Sequence, residues 1–207
     1  MRILHMSNRS GRPAKGSEQN SKEKIINEAV SIIRRKGADA VTVRDVCESA
    51  GLSIGTFYHY FRDKDDLMMY FLRETSFDSY ELLTPLSDIA GRISELYMHL
   101  IGKYMELGLD FMKSFYSTGN QSLSAYMGEV DGAFASGTVM ARSEEEMDAA
   151  LEAGFLKSDA DIHLICTDIC TIVKGCVFEW CLNNGSMDIE PVLRRVIGFY
   201  LYRYVQK

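Results

Sequence analysis

Between Ser53 and Phe61 the chain carries residue types that suit contact with duplex DNA better than they suit a helix. Drawn at about 100° per residue, Phe57, Tyr60 and Phe61 fall on one side, close to Ser53. Gly55, Tyr58 and His59 fall on the other, flanked by Ile54 and Thr56. The first face can seat the helix on its neighbours. On the second, Gly55 lets backbone approach a groove or phosphate, Tyr58 and His59 can donate to phosphates or base edges, and Ile54 and Thr56 can touch thymine methyl groups or phosphates. Gly, Ser, Thr, Ile and the aromatics are weaker helix formers than Ala or Leu, so a helix kept only for packing would use other residues. Lys64 adds a cation at a helix start, where the macrodipole disfavours it by about 0.3–1 kcal/mol. A facing phosphate explains it, and neutralisation by Asp63, Asp65 and Asp66 explains it equally well.

The elements that must hold this face can be placed from local signals. Residues 21–36 are expected to form an amphipathic helix, with Ile25, Ala29, Ile32 and Ile33 at helical spacing and Gly37 as its stop. Thr42-x-x-Asp45 has the pattern of a capping box, opening a helix whose apolar face is Val43, Val46, Cys47 and Ala50. Ala50 and Gly51 permit a tight turn, and Ser53 can cap the next helix. Asp63, with Asp66 three residues on, caps a fourth, expected to run over 64–83. The result is a helix-turn-helix motif over 42–61.

Residues 25–71 resemble the DNA-binding domain of the Tet repressor (TetR) family. The resemblance is carried by Gly37, Thr42, Val43, Val46 and Leu67, and by the run Ala50-Gly51-Leu52-Ser53-x-Gly55-Thr56-x-Tyr58-x-Tyr60-Phe61-x-x-Lys64, which also holds His59. It implies a dimeric transcription regulator, usually a repressor released by a small ligand. By position, it implies that Thr42, Arg44, Ser53, Thr56, Tyr58, His59 and Lys64 contact DNA. Ile54 stands where many relatives have a polar or basic residue, which leaves methyl contact as its role.

The expected architecture is all-α: a flexible basic arm at 1–20, a helix-turn-helix domain at 21–66, a connecting helix at 67–84 and a helical ligand-binding and dimerisation domain at 85–207. Residues 1–64 hold 12 Lys and Arg against 7 Asp and Glu, whereas 65–207 hold 11 against 22. A basic front on an acidic body suggests that only the front meets a polyanion. In the body, a helix from Ile89 to Phe111, another over 144–153, and two long apolar helices at 159–183 and 189–205 are expected, with no strands. The last two carry more apolar residues than one covered face needs, which predicts a homodimer through them. Phe77, Tyr80 and Leu82 are expected to relay between the domains.

Met and aromatic residues at helical spacing mark either plain core or an adaptable effector cavity. The candidates are Tyr97, Tyr104, Met105, Phe111, Met112, Phe115, Tyr126, Phe134 and Trp180. His163, Cys166 and Cys170 share one helical stripe with Cys181 nearby, but strung along one helix they span about 10 Å, too far for a single ion. Thiols as small apolar fillers are the better reading, and no metal or cofactor is expected. No hydrolase elbow, P-loop, zincin or dinucleotide motif occurs, so enzymatic activity is not expected. Neither a signal segment nor an apolar run of membrane-spanning length is present, and five cysteines without scaffold spacing fit a reducing cytoplasm. The rivals to a ligand-released repressor are control by a protein partner, transcriptional activation, and an enzyme bearing a DNA-binding head.

Overall fold

The first helix, α1 (Lys15–Lys36), buries Ile25, Ala29, Ile32 and Ile33, the apolar stripe of its sequence. It begins at Lys15, earlier than the expected Ser21. The structure, a computed structural model, describes residues 15–37, 40–73, 77–106, 108–116 and 129–206; residues 1–14 of the expected arm lie outside them. Against α1 pack α2 (Val43–Ala50) and α3 (Ile54–Tyr60), and α4 (Lys64–Arg73) completes the head. Val46, Cys47, Phe57, Phe61 and Leu67 close its core, each large apolar side chain contributing about 1.5–3 kcal/mol of burial.

Short-range chemistry sets the head's boundaries. Gly37 ends α1 at φ 83° and Gly51 ends α2 at φ 66°, left-handed positions that favour glycine. Ser53 accepts the Thr56 N–H at 3.1 Å. Asp63 accepts the Asp66 N–H at 2.8 Å, while the Asp66 carboxylate reaches back to the Arg62 N–H at 3.0 Å.

The body is built around α5 (Ile89–Met105), which packs on α6 (Leu109–Phe115), α7 (Val139–Glu152) and α9 (Ile189–Leu201); α8 (Ile162–Leu182) packs on α6, α7 and α9. In the body, the helix expected over 144–153 opens already at Val139, and three further expectations need correction. The helix expected from Ile89 to Phe111 is broken, because Gly108 turns left-handed at φ 98°. The last helix stops at Leu201 rather than 205, because the tail pairs with the 155–157 segment: the Lys157 N–H donates to the Tyr204 carbonyl at 2.8 Å and the Gln206 N–H to that of Phe155 at 2.9 Å. A short hairpin, β1 (Glu129–Val130) with β2 (Ala133–Phe134), interrupts the helices. Asp131 and Gly132 both have positive φ in its turn, the primed geometry that Asp-Gly favours.

The connecting helix is also shorter than expected. α4 ends at Arg73, and 77–88 is a non-helical strap whose backbone is held by side chains of the body. The Leu83 and Thr84 N–H groups donate to the two Glu95 carboxylate oxygens, each at 2.8 Å. Arg142 donates to the Phe77 and Asp78 carbonyls at 3.0 and 2.9 Å, and Arg92 donates to that of Thr84. Buried Glu146 accepts from Arg92 at 2.6 Å and from Arg142 at 2.8 Å.

Burial opposes ionisation of both carboxylates, but for Glu146 the two guanidiniums outweigh it, and for Glu95 the strap N–H groups do; both are held below the ordinary range. A carboxyl depressed on folding stabilises fully above its unfolded value, about 4.3, and the contribution is lost as pH falls through the folded value. The thermal midpoint by circular dichroism is therefore expected to hold from neutrality to about pH 5 and to fall steeply below about 4.3. Glu146→Gln should lower the neutral midpoint and flatten that acid limb.

Candidate nucleic-acid interface

Two faces of α3 separate as its sequence implies. Phe57 and Phe61 are buried, their ring centroids 5.6 Å apart, and Phe61 meets Tyr70 edge-on at 5.7 Å. Outward stand Gly55 and His59, Tyr58 with 56% exposure and Ile54 with 48%; Thr56 is half-buried. Tyr58 is exposed but not loose, because its ring rests edge-on against Phe57 at 5.6 Å. His59 is similarly placed against Tyr60 at 4.9 Å. Exposed aromatic and apolar groups on one side of a helix are of the types that meet base edges and sugar-phosphate in duplex DNA.

Thr42 and Ser53 already serve as helix caps. The Thr42 hydroxyl accepts the Asp45 N–H at 3.0 Å and donates to the Asp45 carboxylate at 2.8 Å. This differs from the expected reciprocal box, since the acid bonds the hydroxyl rather than the backbone. The Ser53 and Thr56 hydroxyls bond each other at 2.9 Å. Arg44 pairs with Glu48 at 3.0 Å on the open surface, a weak arrangement that a phosphate can replace. Lys64 opens α4, half-buried.

Sequence reasoning passed over two cations. Arg62 is exposed just after α3, 3.7 Å from Asp66. Lys22 lies 4.1 Å above the Tyr70 ring and 6.0 Å from the Phe61 ring, covering the aromatic seam beneath α3. A Lys on α1 and aromatics some forty residues later give no local signal of that pairing.

In the body, the effector candidates are mostly core. Tyr97, Tyr104, Phe111, Met112 and Phe115 are buried, and Met105 is half-buried. Phe111 and Phe115 lie parallel with centroids 5.8 Å apart, and Tyr104 meets Phe115 edge-on at 5.8 Å. Phe134 stacks instead on His163 at 4.4 Å, whose Nδ1 contacts Glu144 at 2.7 Å. Trp180 packs on the turn after α8, where a Cβ at Gly185 would come within 3.0 Å of its ring. Tyr126 lies outside the described residues. A cleft of about 460 Å³ lies at the joint between head and body, where Arg34, Arg35 and Lys36 of α1 face Glu106 and Asp110.

Among the described residues no three His, Cys, Asp or Glu side chains are grouped to hold a metal ion. Burial, with Glu144 and Asp148 adding to it, pushes the Cys166 thiol up to about 12. That keeps it protonated near neutrality, whereas redox sensing needs the thiolate.

Residues 25–70 match the model of the tetR family of bacterial regulatory proteins. Over nearly its whole length the chain is similar to the fatty acid metabolism regulator protein of Bacillus subtilis, at 23% identity covering 84% of this chain and 90% of that one. It is similar also to the HTH-type transcriptional repressor KstR2 of Rhodococcus jostii, at 22% identity covering 86% and 87%. Its fold is that of a TetR transcription regulator from Haloarcula marismortui, with a TM-score of 0.60 at 17% identity, covering 91% of this chain and 100% of that one.

Proposed function

We propose that this chain, a DNA-binding transcription regulator with the helix-turn-helix head of the tetR family, acts as a homodimeric repressor that a small apolar effector releases from an inverted-repeat operator. The observation that carries the reading is the outer face of α3, where Tyr58, His59, Gly55 and Ile54 stand exposed on a helix whose other side is locked into the head. Thr42, Arg44, Ser53, Thr56 and Lys64 surround that face and complete the phosphate-binding rim. The excess of cations over anions in residues 1–64 supplies the sequence-independent part of the affinity.

Homodimerisation is supported by exposed apolar side chains on and beside the two last helices: Leu164, Phe178 and Leu182, with Phe199 and Tyr202. Gly175 and Gly198 stand inside these helices, where glycine costs about 1 kcal/mol relative to alanine. A Cβ at either would meet nothing within 4 Å in the single chain. Close approach of a partner helix accounts for both. No helix among the described residues is long and apolar enough to cross a membrane, and we place the repressor in the cytoplasm with its DNA.

The effector reading draws on the Met- and aromatic-rich interior of the body, and on relatives named for repression and for fatty acid metabolism. The test is to challenge the complex with a promoter fragment, followed by fluorescence anisotropy, with fatty acids, their thioesters and small phenols. At least one compound class is expected to weaken binding tenfold or more, about 1.4 kcal/mol of coupling. If none does, and a cellular protein displaces the DNA instead, control by a protein partner replaces the small molecule.

A further inference from the structure

The chain passes from head to body once, through α4 and the strap at 77–88. The strap is held in two ways. Phe77, Tyr80, Leu82 and Leu86 pack on the core, as in any covering connector, and its backbone groups are in addition gripped by charged residues. Arg142 takes the carbonyls of Phe77 and Asp78, Arg92 takes that of Thr84, and Glu95 takes the N–H groups of Leu83 and Thr84. Glu146 ties the two guanidiniums to each other, so that α5 and α7 grip the strap as one unit. Two further holds fix its start: the Phe77 N–H donates to the Gly137 carbonyl at 3.1 Å, and His99 is flanked by Tyr80 stacked at 4.0 Å and Phe77 edge-on at 5.7 Å. Hydrogen bonds to backbone fix direction as well as position, which apolar packing does not.

In a two-fold dimer, the angle at which each head leaves its body sets the separation and relative rotation of the two reading helices. Half-sites lie about 34–36 Å apart, and each inserted base pair moves one by about 3.4 Å while turning it about the duplex axis. We propose that Arg92, Arg142, Glu146 and Glu95 are positioning residues for operator spacing: the clamp they form on the strap sets which half-site separation the dimer accepts. This inference rests on the reading of a dimer on an inverted repeat. The clamp touches no DNA, and its effect falls on spacing rather than on the base pairs recognised.

The experiment uses the full chain and inverted-repeat duplexes selected from a random pool, remade with none, one or two base pairs added between the half-sites. The unaltered protein is expected to lose about a hundredfold in affinity when two base pairs are added. Glu146→Gln and Arg142→Lys are expected to lose less than about tenfold for the same insertion, with affinity at the selected spacing only a few-fold weaker and the same base preferences within each half-site. Glu95→Gln, at the half-exposed edge of the clamp, carries the same prediction should a buried substitution prevent folding. Retention of the full hundredfold discrimination by variants with a lowered thermal midpoint would overturn the proposal, since the clamp would then serve stability alone. Failure of the unaltered protein to enrich any inverted repeat would remove the dimeric operator reading, and the spacing role with it.

Discussion

Replacing Tyr58 and Lys64 together with alanine is expected to weaken operator binding at least a hundredfold without loosening the fold. Tyr58 is 56% exposed and its ring rests on its neighbour Phe57, so its removal costs the head little. Surface changes of this type fall within about 0.5 kcal/mol of stability. The DNA side is different. Each protomer would lose one contact to base edge or phosphate from α3 and one charged phosphate contact from the start of α4. Hydrogen bonds to charged groups contribute about 1.5–3 kcal/mol each, and a two-fold complex loses every contact twice. A total above about 3 kcal/mol corresponds to more than a hundredfold in affinity. The loss should divide between the two positions: Tyr58→Ala should flatten sequence preference, whereas Lys64→Ala should weaken all duplexes alike and lower the salt dependence of binding. Anisotropy titrations at several salt concentrations separate the two effects.

Placing aspartate at Phe178 and at Phe199 is expected to produce a monomer. These side chains are 46% and 77% exposed in the single chain, on the two helices assigned to the dimer. On the surface of a monomer either change is mild. In a self-complementary interface each occurs twice, and each replaces apolar burial of about 1.5–3 kcal/mol with a carboxylate that must be desolvated. The combined penalty exceeds about 6 kcal/mol, enough to raise a nanomolar dissociation constant beyond the micromolar range. Sedimentation velocity at micromolar concentration should show one mass for the unaltered chain and half that mass for the variant. Operator affinity should fall with it, since two half-sites no longer bind as one. A variant that stays dimeric would move the interface away from α8 and α9.

What could be read in the sequence, and what could not, divides by range. The caps at Thr42, Ser53 and Asp63 and the stops at Gly37 and Gly51 depend on groups within four residues, so the head was legible nearly to the residue from Gly37 to Asp63, whereas the start of α1, without such a signal, lies six residues before the expected Ser21. The outer face of α3 followed from helical spacing alone. The strap was misread as helix because its backbone partners lie far off: Glu95 is 12 residues from Leu83, and Arg142 is 65 from Phe77. No local pattern announces that a carboxylate will take the N–H groups a helix would have satisfied. The end of α9 failed for the same reason, its tail being drawn to residues 155–157. The hairpin was legible and overlooked, since Asp131-Gly132 is a strong turn signal. The effector candidates were chosen by composition, which cannot separate a cavity wall from packed core; ring contacts gather Tyr104, Phe111 and Phe115, while Phe134 and Trp180 pack on other partners.

The measurement that bears most directly on the whole account is a hydroxyl-radical footprint on the tightest duplex selected from a random pool, made with the unaltered chain and with the Tyr58→Ala, Lys64→Ala variant at equal concentration. Two protected patches related by two-fold symmetry and about one helical turn apart, both lost in the variant, are the predicted result. Protection that lacks that symmetry, or that survives unchanged in the variant, would mean that DNA is held by some surface other than α3 and its rim.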